Sequence, residues 1–185
     1  MTHTDFSKID IKDIAAIISK KLSDHGIEAV LVGGAVVSVY SCNRYISYDL
    51  DYVIYDDLKK VKIALSELGF FQKGKYFVHQ NCPFFIDFVS PPVAIGAEPV
   101  KKFEQVSNSF GKITLLTATD CVKDRLASFF HWDDAHALEQ AIWVCEKQKV
   151  KLSEIEVWSQ KEGFIEKFRA FKQKLARARA LSRDR

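Results

Sequence analysis

What this 185-residue chain lacks narrows its chemistry before any motif is read. Its four cysteines (Cys42, Cys82, Cys121, Cys145) include no C-x-x-C pair and have no histidines at metal-binding spacing. Neither a zinc knuckle nor a dithiol redox centre is therefore expected, and the thiols read as the reduced cysteines of a cytoplasmic protein. The N-terminus is polar, without the apolar core of a signal peptide, and no apolar run approaches the roughly 18–20 residues that cross a bilayer, so no membrane partner is expected. Walker A, G-x-G-x-x-G, H-E-x-x-H and G-x-S-x-G motifs are all missing, which removes support for P-loop, dinucleotide-binding, zincin and hydrolase-elbow readings. Internal repeats and low-complexity tracts are missing too.

What is present suffices for one compact domain, or for a core plus a small helical unit: 48% of the residues are hydrophobic, and 14 Phe make the core aromatic-rich. The formal net charge of +3 is unevenly spread. Residues 147–185 carry twelve Lys/Arg against five Asp/Glu, whereas residues 1–146 carry fifteen against nineteen. A basic tail thus follows a mildly acidic body.

The chain is organised around the stretch from Leu31 to Tyr55. A short apolar strand, Ala29 to Val32, runs into Gly33-Gly34 and then into Ala35 to Tyr40, which suits one or two helical turns. A glycine pair there lets the backbone approach an anion, and a helix N-terminus offers free N–H groups to phosphate oxygens. After a polar turn comes an apolar strand bearing Asp49-Leu50-Asp51. Side chains alternate along a strand, so Asp49 and Asp51 share one face with Cα atoms about 6–7 Å apart, while Leu50, Tyr52 and Ile54 face the interior. Like charges so placed repel unless a cation lies between them. Two Mg²⁺ ions about 3.5–4 Å apart would satisfy both and suit in-line phosphoryl or nucleotidyl chemistry.

Gly33-Gly34, Arg44, Ser47 and the apolar-flanked Asp49-Leu50-Asp51 resemble the signature of the DNA polymerase β-like nucleotidyltransferase superfamily. The Arg-x-x-Ser-x-Asp lead-in is similar to a bacterial branch that includes nucleotidyltransferase toxins of abortive-infection systems. The resemblance implies a third carboxylate on a later strand. Asp87 is the candidate, in the apolar segment Phe84 to Val89 between Pro83 and Pro91-Pro92. An aspartate inside such a strand is costly unless paired or metal-bound. The resemblance further implies Mg²⁺ (or Mn²⁺) on Asp49, Asp51 and Asp87. It implies an NTP held by Gly33, Gly34, Ser38, Arg44, Ser47 and one of Lys123 or Arg125.

The rest of the chain supports an α/β (α+β) fold: a small mixed-sheet core over residues 1–116, then a helical region over 117–185 that packs on the core and ends in a basic amphipathic helix. An amphipathic helix spans Ile9 to Leu22, with Asp10 as its cap; another spans Asp57 to Leu68. Phe70-Phe71 and Tyr76 to His79 suggest a hairpin around Gly74, Pro91 to Pro99 a loop, and Lys101 to Ser107 with Lys112 to Leu116 two further strands. Thr117 or Thr119 caps a helix to Phe130, and a second helix covers Asp133 to Gln148, where the resemblance implies that Asp134 is a salt-bridge partner for the basic residue, Lys123 or Arg125. Lys123 and Arg125 diverge by about 200° on the first of these, so one alone should face a cleft. A third helix begins at Lys151 with Ser153 and Glu156 spaced as a capping box. The last, Phe164 to Leu181, sets an apolar stripe against Lys167, Arg169, Lys172, Lys174, Arg177 and Arg179, either a solvated face or a nucleic-acid surface.

The expected activity is transfer of NMP from an NTP to an acceptor hydroxyl. A tRNA or other RNA, or a protein, is favoured over a small aminoglycoside-like molecule, and a toxin role with a cognate antitoxin is open. Two alternatives stand beside it: a noncatalytic binding protein of the same fold, and a HEPN-type ribonuclease using Arg125 and His131.

Overall fold

The computed structural model describes residues 5–183. The elements run α1 (Ile11–Asp24), β1 (Ala29–Val32), α2 (Gly33–Ser41), β2 (Asp49–Ile54), α3 (Leu58–Ser66), β3 (Phe71–Lys73), β4 (Tyr76–Val78) and β5 (Phe85–Val89). They continue through β6 (Ala94–Ile95), β7 (Glu98–Pro99), β8 (Phe103–Asn108), β9 (Gly111–Leu116), α4 (Ala118–Trp132), α5 (Ala135–Lys147), α6 (Leu152–Lys161) and α7 (Ile165–Arg183).

Seven strands form one sheet in the order β3-β4-β5-β2-β1-β9-β8. It is mixed: β2 runs parallel to β5 and β1 parallel to β9, while the other neighbours are antiparallel. Local chemistry sets the helix starts. Asp10, Asp57, Thr117 and Asp134 each cap a helix by accepting from a backbone N–H in its first turn. Asp134 is therefore the cap of α5, not the salt-bridge partner of a basic residue. The α6 capping box does not form: the helix starts at Leu152 after Lys151, with no side-chain cap, which leaves Ser153 inside the first turn. The loop expected over Pro91 to Pro99 contains the β6–β7 hairpin, a two-stranded sheet of its own.

Ile14, Ala15, Ile18 and Leu22 bury one face of α1, and Leu50 and Tyr52 bury the inner face of β2. The same hydrophobic cluster continues through Phe130, Trp158, Phe168, Phe171 and Leu175 of the C-terminal helices. Among the described residues no helix is long and apolar enough to cross a membrane.

Candidate active site

The centre of the sheet places the aspartates. In the parallel pair β2–β5 the register sets Asp51 opposite Asp87 and Asp49 opposite Phe85. The alternate residues turn inward: the Tyr52 hydroxyl, fully buried, donates to Ala15 O at 3.0 Å and lies 3.1 Å from Ser19 Oγ. Asp51 and Asp87 open onto a cavity of about 440 Å³ that also touches Gly33, Lys75, Ile95 and Asp124.

Gly33 stands at φ +67°, and a Cβ there would lie 2.7 Å from Asp51 Oδ2, so the bend and the carboxylate exclude any larger residue. Helix α2 begins at this bend with Val32 as an N-cap that offers no side-chain acceptor, leaving its first N–H groups for a ligand. A buried relay ties the bend to the aspartate strand. Ser38 Oγ donates to Gly34 O (3.3 Å) and accepts from Ser47 N (2.9 Å), and Ser47 Oγ donates to Asp49 Oδ1 (2.7 Å).

The cavity is strongly acidic. Burial, then the negative charges of Asp49 and Asp87, push the Asp51 carboxyl up to about 6, partly opposed by Lys75 and Arg125. Lys75, in the turn between β3 and β4, reaches Asp87 Oδ2 at 2.6 Å while its ammonium lies 4.6 Å from the Tyr76 ring. That hydrogen bond raises the lysine above its ordinary value. On the opposite wall Asp124 is held by Arg125 Nη2 at 2.5 Å, and Arg125 Nη1 donates to Gln140 Oε1 at 3.3 Å.

The structure thus gathers Gly33, Asp51 and Asp87 at one cavity, with Asp49 alongside. Ser38 and Ser47 are buried and spend their hydroxyls within the fold, so they brace the site and do not line it. Arg44 does not reach it: its guanidinium lies 5.3 Å from the Trp143 ring and pairs with Glu146. Lys123 faces a different hollow, between Glu98 and Asp120, whereas Arg125 approaches the cavity only through Asp124. The ribonuclease reading fails on placement, because Arg125 is committed to Asp124 and Gln140 while His131 packs edge-on to Phe164 at 4.8 Å.

No family model matches the chain, and no curated protein matches it in sequence. Among solved structures it is similar to an antigenic nucleotidyltransferase-like protein from Paracoccidioides brasiliensis, with TM-score 0.56 and 13% identity over 77% of this chain and 78% of that one. It is also similar to the antibiotic-resistance factor ANT(2'')-Ia, with TM-score 0.51 and 12% identity over 96% of this chain and 99% of that one. The fold is nucleotidyltransferase-like.

On this nucleotidyltransferase-like fold the donor chemistry suits a hard divalent cation: carboxylate oxygens alone, mutually repelling, with one held abnormally basic. As the side chains stand, no three His, Cys, Asp or Glu among the described residues are gathered tightly enough to hold a metal. In this arrangement Lys75 donates to Asp87 Oδ2, the Phe88 N–H to Asp87 Oδ1 (3.0 Å), and Ser47 Oγ to Asp49 Oδ1. Lys75 and Asp124 are the residues that sequence reasoning missed. Lys75 carried a faint signal, lying in a hairpin that precedes the Asp87 strand, and Asp124 was hidden between the two basic residues that drew attention.

Proposed function

We propose that this chain is a metal-dependent nucleotidyltransferase that transfers NMP from an NTP to an acceptor hydroxyl. The observation that carries the reading is the pairing of Asp51 with Asp87 across β2–β5 beside the uncapped start of α2, on a nucleotidyltransferase-like fold. Mg²⁺ or Mn²⁺ held by Asp49, Asp51 and Asp87 would supply the positive charge that offsets the triphosphate and acidifies the acceptor hydroxyl. The chain's own groups do the rest. Gly33, at positive φ, permits the tight bend into α2 with Asp51 against it, and the N–H groups at the start of α2 hydrogen-bond the phosphate oxygens. Lys75 leaves Asp87 and turns its charge toward the incoming anion, which its exposed position permits. The acceptor oxygen bonds to the α-phosphorus as the bond to the bridging oxygen breaks and pyrophosphate departs, while the hydroxyl proton passes to a carboxylate oxygen of the cluster.

An RNA or protein acceptor, and a toxin role with a cognate antitoxin, belong to this proposal. One observation favours a second reading, a noncatalytic protein of the same fold: the Lys75–Asp87 ion pair already neutralises one of the three aspartates. Incubation with each labelled NTP, Mg²⁺, bulk tRNA and cell protein separates the two. Label should pass to one acceptor class with the wild type and fail with Asp49→Ala/Asp51→Ala. Equal labelling by both proteins, or none by either, overturns the catalytic reading.

A further inference from the structure

A second charged depression lies on the far side of the β6–β7 hairpin. A hollow of about 210 Å³ between that hairpin, α4 and α6 is lined by Lys101, Lys102, Lys123 and Lys151 with Glu98, Asp120 and Glu154. It runs into a larger one of about 650 Å³ that shares Lys102, Asp120, Lys151 and Glu154 and adds Lys147, Lys149 and Glu104. Ile95 lines both the first hollow and the carboxylate cavity, so the trough starts one side chain from the aspartates.

The sign of the lining reverses across Ile95. The cavity sets Asp51, Asp87 and Asp124 against Lys75; the trough sets six lysines against four carboxylates. Of the six, Lys151 pairs with Glu154 at 2.8 Å and Lys123 pairs more loosely with Glu98 and Asp120. Lys101, Lys102, Lys147 and Lys149 are exposed and make no ion pair among the described residues. Lys123 is more than nine-tenths buried, yet its Nζ stands 3.6 Å from both Glu98 and Asp120, beyond hydrogen-bond reach. The N-terminus of the ten-residue α6 opens here without a side-chain cap. One aromatic residue lines the trough, Tyr40, which is buried and donates its hydroxyl to Leu116 O, so no ring is offered for base stacking.

We infer that this trough holds the phosphodiester backbone of a nucleic-acid acceptor strand, reading charge and spacing and not bases, with the end of the strand passing over Ile95 to the aspartates. The inference rests on the transferase reading and names its acceptor class. The basic face of α7 is a poorer site because much of it is spent inside the protein. Lys167 donates to Phe130 O (2.6 Å), Arg179 donates to Cys145 O (3.1 Å), and Arg169 and Lys172 pair with Glu166 and Glu156.

The test is fluorescence anisotropy with labelled 12-nucleotide RNA and DNA of the same mixed sequence, without NTP or divalent metal, on the full chain. Lys101→Glu/Lys102→Glu/Lys151→Glu should weaken binding at least tenfold at unchanged melting temperature. It should also flatten the slope of log K against log salt by about 2, at about 0.7 per lost phosphate contact. Lys174→Glu/Arg177→Glu on α7 should stay within twofold of wild type, and changing the base sequence should matter as little. A preference for one strand assigns RNA or DNA, and equal binding assigns the shared backbone chemistry. The inference is overturned if the triple variant binds like wild type, if the α7 variant loses as much, or if neither strand binds. Label transfer to a protein or small molecule with unchanged oligonucleotide binding in the triple variant sinks the trough alone. Trough-dependent binding without any transfer sinks the transferase reading and keeps the trough.

Discussion

At the scale of single residues, Asp51 carries a cost that other functions of the fold do not require. Its folded-state value of about 6 lies above the ordinary 3.8, so its contribution to stability is complete below pH 4 and is lost as pH rises through 6. At neutral pH the charged carboxylate therefore strains the fold. The shift of about two units corresponds to roughly 3 kcal/mol, which partial exposure and screening reduce to about 1–2 kcal/mol. Asp51→Asn in EDTA should melt about 2–6 °C above wild type at pH 7.5, with the gain vanishing toward pH 4. Added Mg²⁺ should raise the melting temperature of the wild type and leave the variant unmoved. A variant no more stable than wild type at pH 7.5 would contradict the crowding of carboxylates described above.

Gly33 is the complementary case. Its positive φ and the 2.7 Å gap to Asp51 Oδ2 leave an alanine both strained and in collision. Gly33→Ala should cost about 1–3 kcal/mol in chemical denaturation and abolish NMP transfer by displacing Asp51 from its register with Asp87. Wild-type stability in that variant would mean that the bend tolerates a side chain.

At the scale of elements, two hairpins complete the site: the β3–β4 hairpin forms where the sequence suggests it, around Gly74, whereas the β6–β7 hairpin lies where a loop is expected. The helices and central strands announced themselves through periodicity and caps: Asp10 and Asp57 sit where the pattern put them, and the alternation of Asp49-Leu50-Asp51 told which face would be acidic. The β3–β4 turn gave no hint that Lys75 would meet Asp87, because that contact depends on which strand pairs with β5. The β6–β7 hairpin is two residues per strand and lies among prolines, so no period could form. It is held by tertiary contacts instead: Trp158 Nε1 donates to Ile95 O (3.4 Å) and the Ala97 N–H donates to Glu162 Oε1 (3.0 Å). Gly96 is pressed so closely on Glu162 that a Cβ would sit 2.5 Å from its carboxylate. The first hairpin is open to test. Since Lys75 lowers Asp51, Lys75→Met should move the Asp51 titration above about 6, as read by carboxyl ¹³C NMR. A titration that stays in place would show that Lys75 does not stand at the cavity.

At the scale of the whole molecule, the division at residue 116 describes the order of elements and not two independent cores. The change from strand to helix pattern at Thr117 leads one to expect a helical region packed on the core, but sequence periodicity cannot say which residues make that contact. The packing joins them. Phe168, Phe171 and Leu175 of α7 belong to the cluster that contains Leu31 of β1 and Ile86 of β5, and Gln148 Nε2 donates to Tyr40 O of α2. A shared core of this kind unfolds as one unit. All three tryptophans, Trp132, Trp143 and Trp158, lie after residue 116, so their fluorescence reports the helical region while far-UV circular dichroism reports the sheet as well. In urea the two signals should give coincident transitions. Phe168→Ala, which empties a fully buried position, should shift both together by about 3–4 kcal/mol. Separate midpoints, or a Phe168→Ala shift confined to the fluorescence, would show that the helices fold apart from the sheet. The acidic cavity and the lysine trough, which meet at Ile95, would then have no fixed relation to each other.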